Sequence, residues 1–581
     1  MNQARRTVFG KPTTWQRVLE TAALPGPVDG VIQRIIRKTR ALPFERAAFA
    51  TELVAHCQDG LAAGVEPDEL AKGLGRPSKV GKLAGRAIRG KRPPIVKSLL
   101  ATTTVGRRTA AVLGPIYAVL AVWFFARSPD VTVDYVAQIN ASVVSIPSVD
   151  RAAPLVADVA NRTLVLRDEA VRERRHEGWN LIDPGSSDAW LRHWPTAHLT
   201  DLNAPDEPEL SLLGRAAGIV ETAHKAAQRP RLGHAMTGAG GTARLSIASM
   251  IPVVDDYRKV AFLLARDSRA ATLRSDHAQL TESLVAVLSL AKQLSQDAPT
   301  LYGKSSGWHV LQIATHEIRR TLALYPDLLG ESDLERVASA LDFDVDASAE
   351  DDRKILHDRL QRTFAPGPNG RLTLDGWRWF VSHPDMIRYR GADVLIAPLA
   401  ALTLPTRSEV LDRCDTAFDA FERWQGMTVI GQESWRDVYA TFPTPRRFQE
   451  DPIAAMLLQS TEYYLVEAQR TRTHQEAIQA AVAAYRYRAS FGAFAEDACD
   501  LVPEFLEQVP TDRFTGDPIR YVLSDWGPQI YVCGADQDDD GGMPSVDGEQ
   551  PFGVASFHAD SPQNARNGDW MLYEALERSQ Q

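Results

Sequence analysis

The residues best placed to do chemistry lie near the C-terminal end, where Gln508 to Gly542 reads QVPTDRFTGDPIRYVLSDWGPQIYVCGADQDDDGG. Four of the six positions from Asp536 to Gly541 are aspartates. Asp538, Asp539 and Asp540 in a row repel one another unless a cation sits among them. Ca²⁺ takes six to eight oxygens from carboxylates and backbone carbonyls, and a glycine-rich loop can wrap to supply them. The competing reading is a solvated acidic turn, because such repulsion costs little when exposed in salt.

Other constellations carry less. His309 and His316 share a helix face in HVLQIATHEIRR, with Glu317 beside the second, but Arg320 stands where HExxH needs its second histidine. Gly238 to Gly241, in TGAGGTARLS, has no GKS or GKT after it and is not a nucleotide loop. PGPNGRLTLDGW has the rhythm of an EF-hand loop. With Gly370 as its turn glycine, however, Ala365, Gly367 and Gly376 occupy ligand positions, so the stretch reads as an eroded loop that is now a turn. No GxSxG precedes a helix, and no CxxC is present. No catalytic and no cofactor-binding residue is therefore assigned. The four cysteines, Cys57, Cys414, Cys499 and Cys533, leave one pairing open, Cys499 with Cys533, both near the acidic loop.

The elements around the loop are short. Ile519–Leu523 and Gln529–Cys533 alternate and flank a Ser-Asp-Trp-Gly-Pro turn, which suits a β-hairpin. Trp570–Tyr573 supplies a third strand, and a long helix over Glu462–Tyr487 backs the sheet. Upstream the signals are helical: two helices divided near Ser275-Asp276, then Ser305–Tyr325, Asp333–Leu341, Asp351–Phe364, Pro405–Trp424 and Glu450–Ala489. The fold class expected is mainly α, with a small C-terminal α+β module.

Leu501-Val-Pro503, Val509 to Pro518 and Gly534-Ala-Asp536, in that order after a long helix, resemble the globular domain of the type II secretion major pseudopilin. The resemblance spans about 100 residues. It implies Ca²⁺ in the late loop, with Asp536 as one ligand and Asp560 and Asp569 nearest to the family's later acidic ligands. With the loop's own Asp538 and Asp540, these make the expected metal site. The pilin anchor is missing, so polymerisation into a pilus is not implied.

A second strong feature is TAAVLGPIYAVLAVWFFA, Thr109 to Ala126, eighteen residues without a charge. At ~1.5 Å per residue it approaches the ~30 Å of a hydrocarbon core. Eleven Lys or Arg and no acid lie between Ala71 and Arg108, and Asp130 and Asp134 follow. The charge bias gives a single-pass signal anchor of a bacterial inner (cytoplasmic) membrane, N-terminus cytoplasmic and C-terminal bulk extracytoplasmic, with the lipid bilayer as partner. ELVAHCQDGLAAGVEPDELAKGLGRPSKVGKLAGRAI resembles the helical prefix domain found before permeases. DYVAQINASVVSIPSVDRAAPL and LRSDHAQLTESLVAVLSLAKQLSQDAPTL resemble membrane-anchored helical ectodomain proteins of planctomycete-type bacteria to which no activity is assigned.

The organisation expected is an N-terminal segment (1–41), a basic helical arm (42–108), a membrane helix (109–127), a helical domain (131–449) and the pseudopilin-like module (450–581). A net charge of −9 argues against nucleic acid as a partner. The function expected is a non-enzymatic scaffold or interaction protein with an unknown protein partner. The alternatives are an enzyme with an unrecognised active site in the helical domain, and a secretion or transport accessory protein.

Overall fold

The computed structural model describes residues 15–39, 41–91, 106–176, 207–236, 250–382, 393–427, 452–458, 461–513, 515–533, 538–543 and 569–574. They form two compact units: residues 1–128 with 373–403, and residues 129–372 with 404–581. Among the described residues the protein is mainly α-helical, with one small open sheet.

In the smaller unit, helices Trp15–Ala22, Gly26–Lys38, Pro43–Ala62 and Pro67–Gly73 gather around Leu19, Val28, Ile32, Ile36, Ala50, Val54 and Cys57, and helix Pro77–Lys91 packs on Gly26–Lys38. Helix Gly106–Phe125 follows and packs on helix Asp393–Thr403 of the same unit.

The membrane expectation is overturned here. Among the described residues no helix is long and apolar enough to cross a membrane. Phe124, at the end of the Gly106–Phe125 helix, is fully buried in protein. The single-pass fold, the signal anchor, the lipid bilayer as partner, and the inner-membrane localisation with its orientation all rested on this segment and are withdrawn.

The larger unit is built on three consecutive long helices, Ile251–Leu273, His277–Asp297 and Leu301–Leu324. Their connections are three residues each, so neighbours run antiparallel. Local chemistry starts each new helix: Asp276 accepts from Gln279 N (3.1 Å) and Thr300 Oγ1 from Gly303 N (3.0 Å). Gly307 lets the second and third helices close up, since a Cβ there would lie 2.5 Å from Ser295 N. Helix Thr461–Phe491 lies against the third and against helix Glu331–Leu341. Its Gln475 donates to Leu341 O (2.6 Å) and Phe343 O (2.7 Å), satisfying carbonyls that follow a helix end.

Asp352, in helix Glu350–Thr363, accepts from Leu301 N at 2.6 Å. Burial pushes its carboxyl up to about 7, outweighing the Leu301 N–H and Lys304. A carboxyl whose folded pKa is raised stabilises the fold fully below its ordinary value of 3.8, and that stability is lost as pH rises through about 7. Asp352→Asn keeps an acceptor for Leu301 and removes the titration. Urea unfolding at a series of pH values is expected to show a fall in stability between pH 4 and 7 that the variant lacks. An identical pH profile in both proteins refutes the assignment.

The sheet backs onto helix Thr461–Phe491. Strands β1 (Arg520–Ser524), β2 (Gly527–Val532) and β3 (Trp570–Glu574) pair antiparallel in the order β1-β2-β3. The β1–β2 turn is Asp525-Trp526, with Ser524 opposite Gly527. Tyr573 OH donates to Tyr485 OH (2.9 Å), which donates to Leu322 O (3.0 Å), so one hydrogen-bonded chain joins sheet, long helix and helical layer.

Candidate metal centre

The register of the last two strands creates the site. β2 and β3 place Val532 opposite Trp570. The next residue of one strand, Cys533, and the preceding residue of the other, Asp569, therefore meet at the sheet's end. Both are buried, 1% exposed each. The chain from Asp538 to Met543 folds over them. Gly541 and Gly542 both take positive φ (71° and 82°), a turn that side chains resist. That turn directs Gly542 N to Asp569 Oδ2 (2.7 Å), while Asp569 N donates to Met543 O (2.9 Å).

Asp539 completes the cluster. One ligand atom each from Cys533, Asp539 and Asp569 lies within 4.8 Å of the others, a grouping able to hold a metal ion. Asp539 accepts from Arg520 Nε (2.9 Å), Tyr531 OH (3.2 Å) and Gly541 N (3.0 Å), and the Gly541 N–H first, then Arg520, holds its carboxyl below the usual range. Asp569 behaves oppositely. Burial raises its pKa, N–H groups of Gly542 and Asp540 pull it down, and the Asp539 and Asp540 charges raise it again. Burial, with Asp512 next, pushes the Cys533 thiol up to about 12. Asp512 is itself buried and accepts from Cys533 N at 2.9 Å.

Two oxygens are left over. Asp569 Oδ1 and Asp540 Oδ2 are buried without a hydrogen-bond partner. A buried carboxylate oxygen without a donor is costly. Two beside an ionised third carboxylate are what a cation relieves.

Of the residues expected from the sequence, Asp569 lies in the cluster and Asp540 at its edge. Asp538 is exposed, and Asp536 and Asp560 lie outside the described residues. Cys533, Asp539 and Asp512 were not foreseen as site residues. The one available signal was that Cys533 ends a strand beside the acidic loop. Cys499 and Cys533 are both free thiols, one exposed and one buried, so the pairing considered above is not present.

The other sequence candidates are structural. His316 shares its helix with Glu317, but Glu317 turns to Arg269. Phe364 to Leu372 forms a tight turn with Gly367 at φ +89°, and Trp377 and Phe380 are buried. Gly238 to Gly241 lie outside the described residues. A serine, a histidine and an aspartate also meet in the helical layer. Ser283 Oγ donates to Asp267 Oδ2 (2.7 Å) and lies 3.4 Å from His224 Nε2. Ser283 is fully buried and its proton goes to the carboxylate rather than the imidazole, the arrangement of a polar tie between three helices.

No protein-family model, curated protein or solved structure matches the chain. The resemblances to a pseudopilin domain, a permease prefix domain and planctomycete ectodomain proteins rested on short motifs and are corrected accordingly.

Proposed function

We propose that the protein is a helical interaction scaffold whose C-terminal sheet is locked by one divalent cation, and that the cation is Ca²⁺. The observation that carries this reading is Asp569 Oδ1, a buried oxygen without a donor on a carboxyl that also feels the charges of Asp539 and Asp540. Calcium is favoured by the donor set. Asp539, Asp540 and Asp569 offer hard oxygens, and a loop bent at Gly541 and Gly542 brings carbonyls within reach. Zinc would draw on Cys533, whose thiol holds its proton at neutral pH because it is buried, with Asp512 adding to the effect. The ion would tie the acidic loop to β3, and through Tyr573 and Tyr485 to the helical layer. The scaffold role is supported by the way buried charges there are spent on holding helices together, as in Arg269–Glu317 and Arg266–Glu209.

The test is thermal melting of the full chain in millimolar calcium against chelator, at fixed ionic strength so that screening of the aspartates is constant. Calcium is expected to raise the melting temperature, with zinc giving the smaller shift. A melting temperature the same in calcium and chelator removes the cation from the proposal. A larger response to zinc, with loss of Cys533 reactivity toward a thiol reagent, reassigns it.

A further inference from the structure

The smaller unit carries a feature the proposed scaffold role does not use. Helices Pro67–Gly73 and Pro77–Lys91 are joined by only Leu74-Gly75-Arg76. Gly75 takes φ +78°, a conformation that side chains resist, so the turn depends on glycine. A short turn containing glycine between two helices is the connection found in the helix–turn–helix unit, whose second helix enters the major groove of DNA.

The second helix has the faces that role requires. Its inner face is fixed: Gly81 is buried against helix Gly26–Lys38, where a Cβ would meet Ile35 O at 2.7 Å and Lys38 Cβ at 3.0 Å. Its outer face presents Ser78, Lys79, Lys82 and Arg86, all exposed. Arg34, Arg37 and Lys38, exposed on the neighbouring helix, extend the patch, since Lys38 lies directly against Gly81. Arg76, in the turn, is exposed too. None of these cations pairs with an acid among the described residues. From Ala71 to Lys91 the sequence contains no Asp or Glu.

We propose that this helix–turn–helix docks on duplex nucleic acid, with the outer face of the Pro77–Lys91 helix in the major groove. An α-helix with its side chains is ~10–12 Å across, and the groove is ~12 Å wide. Lys79, Lys82 and Arg86 fall at i, i+3 and i+7, one stripe along the helix. A charged helix lying on an anionic bilayer needs a free apolar face opposite its cations. Here the face opposite the cations is glycine-rich and already packed on helix Gly26–Lys38, and Leu83 is the single large apolar side chain exposed on the helix among the described residues, too little for a bilayer-facing stripe, which favours the duplex. The net charge of −9 does not oppose this, because it is a sum over 581 residues while the cations are concentrated on two adjacent helices.

The experiment uses the full chain and a short, mixed-sequence, fluorescein-labelled DNA duplex, with anisotropy read across a salt series. A parallel arm uses phosphatidylglycerol vesicles. Binding is expected at low salt, with affinity falling ~100-fold between about 50 and 200 mM salt if some four phosphates are contacted. The triple variant Lys79→Gln/Lys82→Gln/Arg86→Gln changes only exposed side chains. It is expected to lose at least ~10-fold in affinity at low salt and to flatten the logarithmic salt slope by about 3. Its melting curve should match the parent's, which separates lost contacts from lost fold. No binding at the lowest salt overturns the proposal. So does a triple variant that binds the duplex like the parent, or a variant whose only lost binding is to vesicles.

Discussion

Glu317→Gln is expected to lower the stability of the larger unit by about 3–5 kcal/mol, the usual cost of breaking a buried ion pair by removing one partner. Arg269 grips Glu317 with Nε at 3.0 Å from both oxygens and a second nitrogen at 2.5 Å, and the two side chains are 3% and 2% exposed. Glutamine keeps the volume and one acceptor, so packing hardly changes. What changes is that the Arg269 guanidinium stays buried without its counter-charge. Arg320 adds to the loss, because Glu317 also stabilises its charge against burial. The double variant Arg269→Met/Glu317→Leu removes both charges and is expected to recover most of the stability. Urea unfolding followed by circular dichroism gives both numbers. A loss below about 1 kcal/mol in the single variant would mean that water reaches the pair and that the three long helices do not depend on it.

That pair also marks where the sequence stops being legible. Apolar spacing and turn residues placed the break at Ser275-Asp276 and the helices from Ile251 to Thr363 to within a few residues, because each needs only its own apolar stripe and local caps. Glu317, Arg269, Asp267 and Arg266 are polar letters on those helices, and single-chain periodicity assigns such letters to solvent. The structure buries all four, each with a partner on another element. A partner 48 or 57 positions away leaves no local trace.

The metal centre fails to show itself for a related reason. Asp538, Asp539 and Asp540 are adjacent in sequence and look equivalent, yet only the fold at Gly541-Gly542 decides that Asp539 brings a ligand atom to Cys533 and Asp569 while Asp538 does not join that cluster. Cys533 and Asp569 meet only through the β2–β3 register, which shifts at Ile530/Tyr531. A one-residue slip would send their side chains to opposite faces. The basic helix errs the other way. Its charges were visible in the sequence, but an apolar run downstream invited a topological reading of them, and the packing of Gly81 on Ile35 and Lys38 is what exposes them as an outward-facing surface.

Asp569→Asn is expected to separate the cation from the fold, because its effect should differ in sign between two conditions. In chelator the variant should melt at or slightly above the parent. Asparagine still accepts from Gly542 N, and the repulsion from Asp539 and Asp540 is gone. In calcium the order should reverse. The parent gains by mass action, about 2.7 kcal/mol at a hundredfold excess over the dissociation constant, and the variant, short of one anionic ligand, gains little. The pH dependence follows from the same carboxyl. Its folded pKa is raised, so without calcium its contribution is complete below the ordinary 3.8 and is lost as pH rises through the folded value. Calcium binds the ionised form and should cancel that loss, so the stabilisation by calcium should grow as pH rises over the same window. Asp539→Asn should be distinguishable, since it also gives up the charged partner of Arg520 and so should weaken the protein in chelator as well as in calcium. Melting curves of the three proteins in calcium and in chelator, at fixed ionic strength and at two pH values, resolve the case. Equal calcium shifts in the parent and in Asp569→Asn would place the ion elsewhere, and the buried oxygens of Asp569 and Asp540 would then need a different partner.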